Sequence, residues 1–130
     1  MTMQLDPYQR YRENAILTAS QERLALMLLD GAVRFARQAT EQLAAKSTSA
    51  AHNALVRAQN ILEYLASTAN IEVEVGKNLA LLYDYIHDRL IEANVKKDQK
   101  PLDEALSLLE ELRDAWQQVL DRETMEGAGR

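Results

Sequence analysis

Cysteine is absent from the chain, which removes disulfides and thiolate zinc sites together, and with them any argument for an oxidising compartment. Glycine and proline are scarce, at four and two residues. With Ala and Leu plentiful and β-branched residues scattered, that composition favours helix nearly everywhere. No stretch approaches 18 uncharged apolar residues, so no membrane span is expected. The first residues, with Asp6 and Glu13 among them, lack the apolar run of a signal peptide, and the expected location is the cytoplasm. A concentrated basic run is also missing. Lys96, Lys97 and Lys100 are interrupted by Asp98 and sit near a helix end, where cations favour the dipole. With a formal net charge of −5, nucleic acid is not the expected partner. Gly-rich phosphate loops and nucleophile elbows are lacking too, so neither nucleotide hydrolysis nor acyl transfer has its usual residues, and no catalytic residue, cofactor or metal is expected.

What is present suits one soluble domain: 130 residues, 47% apolar and 27% charged, enough to bury a core without staples. The pattern predicts an all-α protein, an antiparallel up-down four-helix bundle. Residues 1–19 read as a flexible or partly helical N-terminal arm, 20–123 as the bundle and 124–130 as a flexible tail. Helix 1 begins at Ser20 or Thr18 and is broken at Ser47, Thr48 and Ser49. Helix 2 covers about 51–69 on Leu55, Ala58, Ile61, Leu62 and Leu65, with Asn70 as its stop. Helix 3 runs from Val73 or Gly76 to Lys97 on Leu79, Leu82, Tyr83, Ile86, Leu90 and Ala93. Pro101 fits the first turn of helix 4, which continues through Leu102, Leu106, Leu109, Leu112 and Trp116.

At ~100° per residue, helix 1 has one apolar face of Leu24, Met27, Leu28, Gly31 and Phe35, expected to be core. Leu26, Leu29 and Val33 lie about 140 to 200° from Leu24, on what should be the solvent side. Helix 3 likewise carries Leu81, Tyr85, Ile91 and Val95 off its core stripe. Such a surplus suggests a covered or binding surface. Three readings remain open at this point: a partner groove, a central helix contacted on both sides, or an arm with Tyr8, Tyr11 and Ile16 packed over the second stripe. Six or seven such side chains, at roughly 1.5 to 3 kcal/mol each, supply on the order of 10 to 20 kcal/mol gross, enough to order a flexible partner and still bind it.

The two histidines carry no mechanism of their own. Asp84 and His87 are the sole near-match to a carboxylate-x-x-His pair, with Asp84 away from the core, and His52 has no evident partner. Both are read as surface residues.

Beyond pattern, successive blocks of the chain are specific. They are Pro7-Tyr8-x-x-Tyr11, Thr18-Ala19-Ser20, and Leu24-x-Leu26-Met27-Leu28-Leu29-Asp30-Gly31-Ala32. Arg57-Ala58-Gln59-Asn60-Ile61-Leu62, Leu82-Tyr83-Asp84-Tyr85, Leu90-Ile91-Glu92-Ala93-Asn94 and Leu112-Arg113-Asp114-Ala115-Trp116 follow. In this order and spacing the chain resembles the flagellar secretion chaperone family, FliS. Leu29 stands where that family usually has Tyr or Phe, and Gly76 stands alone where many members have two glycines. The resemblance implies a cytoplasmic bundle that holds the disordered C-terminal region of newly made flagellin in an apolar groove, prevents premature polymerisation, and delivers it to the flagellar type III export gate. It also implies an arm, with Tyr8 and Tyr11, involved in the groove and in docking to the gate. The contact residues expected from helical spacing are Leu26, Leu29 and Val33 of helix 1 and Leu81 and Tyr85 of helix 3, with Ile16 on the arm.

The free protein is expected to be a monomer or weak homodimer. The competing classes are a histidine phosphotransfer domain using His87 and a structural homo-oligomeric bundle that buries the second stripe against itself.

Overall fold

A computed structural model describes residues 21–128. These form four helices, α1 (Gln21–Ala44), α2 (Thr48–Thr68), α3 (Glu74–Lys96) and α4 (Gln99–Ala128), with no strand among the described residues. The arm with Tyr8, Tyr11 and Ile16 lies outside the described residues. Connections of three, five and two residues cannot cross the bundle, so each helix runs antiparallel to the one before it. α1 packs on α2 and α4, and α3 packs on the same pair. The cross-section is therefore a square whose diagonals barely touch.

Glycine scarcity shows at the helix ends. Helices commonly stop on a left-handed residue, which is usually glycine because it has no Cβ. Here lysine takes that place twice, at Lys46 (φ 59°) and Lys97 (φ 49°). After α1, the Lys46 N–H donates to Leu43 C=O and the Ser47 N–H to Gln42 C=O. Those paired bonds close the helix as a Schellman turn. After α3, the Asp98 N–H donates to Ala93 C=O, and the Lys97 ammonium donates to both the carbonyl and the side-chain Oδ1 of Asn94, each at 2.5 Å. Asp98 then caps α4, accepting from the Lys100 N–H at 3.1 Å, with Pro101 in the first turn as expected.

The core is a continuous set of aliphatic side chains from all four helices. Leu29, Leu55, Leu62, Ile86, Leu90, Leu102 and Leu109 are fully buried, each worth roughly 1.5–3 kcal/mol of transfer free energy. Polar bonds stitch the flanks. Arg37 pairs with Glu110 at 3.2 Å and Arg113 with Asp30 at 3.9 Å between α1 and α4, and Gln99 donates to Thr40 at 3.0 Å. Between α2 and α3, His52 Nδ1 donates to Asn94 Oδ1 at 3.2 Å, giving His52 the partner that its sequence surroundings did not suggest.

Two expectations are corrected. Leu29 (0% exposed) and Val33 (2%) belong to the core of α1, not to an outer stripe. They share one arc with Ala32, Ala36 and Ala39, all at 0%. The alanines take the helix centre close to its neighbours and leave the larger Leu24, Leu28 and Phe35 half-buried at the edge. The reading from large residues alone had this arc inverted. The second correction concerns the tail: α4 stays helical through Ala128, with Thr124 Oγ1 donating to Leu120 C=O at 2.9 Å.

Candidate functional site

The antiparallel order brings the start of α1, the end of α2, the start of α3 and the later part of α4 to one end of the bundle. There they leave a groove of about 230 Å³ lined chiefly by Leu24, Ala25 and Leu28 of α1, Tyr64, Leu65 and Thr68 of α2, Leu79 and Tyr83 of α3, and Trp116 of α4. Small-molecule pockets usually begin near 300 Å³, so this groove suits one or two anchoring side chains of a larger partner. Its chemistry agrees, because the walls are mainly aliphatic and aromatic, with Gln21, Glu22, Thr68 and Asn70 adding polar groups. Burial pushes the Tyr83 phenol above its ordinary pKa, and a hydrogen bond with Trp116 partly opposes that shift. The indole N–H can only donate, so in that pairing Trp116 is the donor, and both side chains line the groove.

One wall depends on a missing side chain. A Cβ on Gly76 would lie 1.9 Å from the Asn70 carbonyl oxygen, so only glycine lets the first turn of α3 press against the beginning of the α2–α3 connection. Asn70 shapes that connection further, its Oδ1 accepting from the Glu72 N–H at 3.0 Å. Just outside the wall, Ile71, Val73 and Val75 are 66%, 52% and 70% exposed.

A second apolar surface runs along the outside of α3. Leu81 (63% exposed), Tyr85 (45%), Ile91 and Val95 all face outward. Tyr85 is fixed there by two contacts: its hydroxyl donates to Glu104 of α4, and the Arg89 guanidinium, itself paired with Glu92 at 2.5 Å, lies 5.7 Å from its ring centroid. Glu104 raises the Tyr85 pKa, chiefly by accepting that hydrogen bond. Lys96, bonded to Glu92 at 2.8 Å, holds the Glu92 carboxyl below its usual range.

The expected contact residues therefore separate. Leu81 and Tyr85 are open on α3, and Leu26 is half-buried on α1. Leu29 and Val33 face inward, while Tyr8, Tyr11 and Ile16 lie outside the described residues. The end groove was missed, and its aromatic members most completely. Trp116 fits the apolar stripe of its helix, whereas Tyr64 lies off its own and is 49% exposed; only the meeting of four helix ends turns them into a lining. The legible signal was Leu24 and Leu28, apolar residues in the opening turns of α1, opposite the close of α2.

Comparison with known proteins decides what class of molecule carries these surfaces. The sequence profile of the family described as Flagellar protein FliS matches residues 4–123. The chain belongs to the FliS family. It is 33% identical over 124 residues to the flagellar secretion chaperone FliS of Bacillus subtilis (strain 168), covering 95% of this chain and 93% of that one. It is 34% identical to the protein of the same name from Salmonella typhimurium, with 82% of each chain covered. With that of Escherichia coli (strain K12) it is 30% identical, covering 83% and 82%. FliS proteins are chaperones of flagellar secretion, not enzymes, and this FliS-family chain shares their role in flagellar export. Among its described residues no helix is long and apolar enough to cross a membrane. The phosphotransfer alternative built on His87 gives way to this assignment.

Proposed function

We propose that the protein is a cytoplasmic export chaperone that binds the disordered C-terminal region of flagellin, keeps it from polymerising early, and delivers it to the flagellar type III export gate. The observation that carries the reading is the pair of open apolar surfaces, the end groove and the outer face of α3, on a bundle whose core is already filled. A folded monomer gains nothing from Leu81 and Tyr85 standing in water, whereas amphipathic segments of an unfolded client would bury them. The groove accepts anchoring side chains, and the α3 face takes a helical or extended stretch. Tyr8, Tyr11 and Ile16 belong to the same proposal as arm residues that engage the groove or the gate, and Leu26 as a contact on α1.

Titration of the full chain with a C-terminal flagellin fragment, followed by calorimetry, is expected to give a one-to-one complex. Replacing Leu28 by Asp at the groove or Leu81 by Asp on α3 is expected to weaken it at least tenfold, about 1.4 kcal/mol, with the helical circular dichroism of the Leu81 variant unchanged. Absence of binding by the folded wild-type protein would sink the reading.

A further inference from the structure

The outer face of α3 combines two properties that meet nowhere else on the described surface. Seven of the ten large apolar residues exposed on the described chain lie between 71 and 95: Ile71, Val73, Val75, Leu81, Tyr85, Ile91 and Val95. Carboxylates interleave with them. Glu72 and Glu74 alternate with Ile71, Val73 and Val75 around the start of α3, and Asp84, Asp88 and Glu92 recur between the later ones. On the helix, Leu81, Tyr85, Asp88 and Glu92 form one row at i, i+4, i+7 and i+11, with Asp84, Ile91 and Val95 on the row beside it.

Local pairing removes some of this charge but not most of it. Glu92 is matched by Arg89 and Lys96, while Glu104 accepts a hydrogen bond from the neutral Tyr85 phenol and keeps its charge. Glu72, Glu74, Asp84 and Asp88 have no ion-pair partner among the described residues, and Lys77 is the unpaired cation in the same stretch. α3 itself carries four Asp and Glu against three Lys and Arg, and α4 behind it carries eight against three, of which Glu104 reaches this face through Tyr85. Exposed charges act over a Debye length of roughly 8–10 Å in physiological salt, so a segment lying on α3 feels that excess.

We infer that the outer face of α3 selects an amphipathic partner segment whose apolar residues are flanked by Lys or Arg, with Glu74, Asp84 and Asp88 as the residues that read the charge. The inference rests on the reading that this face receives a client segment, and adds the chemistry by which it chooses one. Charge complementarity also separates this occupant from others. A second copy docked α3 to α3 would oppose two acidic faces, and an anionic lipid surface would be repelled in the same way.

The test uses the full chain and two synthetic helical peptides with identical Leu and Ile positions, one with Lys and one with Glu at the positions between. At low ionic strength the Lys peptide is expected to bind about tenfold more tightly, the size that two or three exposed ion pairs made rather than opposed would give. That advantage is expected to shrink severalfold in about 0.5 M salt, where the screening length falls to a few Å, and in the Asp84→Asn/Asp88→Asn variant checked for unchanged helicity. Equal affinities, a preference for the Glu peptide, a preference indifferent to salt and to the variant, or no binding of either peptide would overturn the inference. So would binding to anionic vesicles, or self-association abolished by Leu81→Asp. The flagellin fragment, titrated in parallel, keeps the two proposals apart. Its binding without peptide discrimination removes the charge rule alone, and its failure beside intact discrimination removes the client assignment alone.

Discussion

The α1–α2 half of the bundle and the α3–α4 half contribute similarly to the core yet present different exteriors. α1 and α2 carry four carboxylates and four Lys or Arg, and Tyr64 is the one large apolar residue they expose. α3 and α4 carry a net excess of six carboxylates and expose Leu81, Tyr85, Ile91, Val95, Val119 and Met125. Both α1 and α3 look apolar on two sides in sequence. In α1 the second side turned out to be core, because alanines complete its arc. In α3 it stayed outside, because carboxylates at 84, 88 and 92 interrupt the arc and none of the other described helices covers it. In this pair of helices the apolar surplus stayed exposed only where the residues between are charged.

The sharpest way to break that comparison is to truncate a leucine on each side. Leu29→Ala is expected to lower unfolding free energy by about 2–5 kcal/mol in urea titration, through lost transfer energy and a cavity. Leu81→Ala is expected to cost about 0.5 kcal/mol or less; equal costs would mean that the two stripes are not distinct. Next in size, Gly76→Ala is expected to cost about 1–3 kcal/mol, as the connection shifts to clear the new methyl. The same variant should weaken whatever the end groove binds, whereas the Lys-peptide preference of the α3 face should persist.

Smaller again, Asn94→Ala is expected to lose about 1–2 kcal/mol, since His52 and Lys97 share that side chain across the α2–α3 seam. Lys46→Gly should raise stability by about 0.5–1 kcal/mol by relieving a left-handed side-chain-bearing residue. Lys97→Gly should gain less, because the two bonds from its ammonium to Asn94 are lost.

The smallest effect is electrostatic and confined to α3. Because Lys96 lowers the Glu92 pKa in the folded state, the stability contributed by this pair is fully present above the ordinary carboxylate pKa. It is lost as pH falls through the lowered folded value. Carbon-detected NMR titration should place Glu92 below the usual range and return it toward normal in Lys96→Ala. On the alkaline side, Glu104→Gln should bring the Tyr85 phenol down toward the ordinary tyrosine range, since Glu104 is the main cause of its raised pKa.

Much of this was legible from residue order. The stripe Tyr83, Ile86, Leu90 and Ala93 is buried on α3 as its spacing predicts, and Leu102, Leu109 and Leu112 are buried on α4. Leu81, Tyr85, Ile91 and Val95 stand outside as off-stripe residues should. The stops of α1 and α3 were legible as well, α3 ending at Lys96 where Lys97 was expected and α1 at Ala44 just before the break at Ser47; residue order did not show that lysines, not glycines, close both helices in the left-handed conformation. The end groove was illegible because its residues come from four separate helices, and nothing on one helix says which residues of the others it will meet.

Residue order by itself determined the helices, their short antiparallel connections, the family and the outward face of α3. All of these follow from local periodicity or from motifs that need no neighbour. Only the tertiary structure decided which of the two α1 stripes is inside, why Gly76 has no substitute, and that Leu24, Leu28, Tyr64, Tyr83 and Trp116 share one groove. A helical wheel gives the angle between two side chains on one helix. It carries no information about where the next helix lies, and that position, set by how closely small residues let backbones approach, separates a core from a surface.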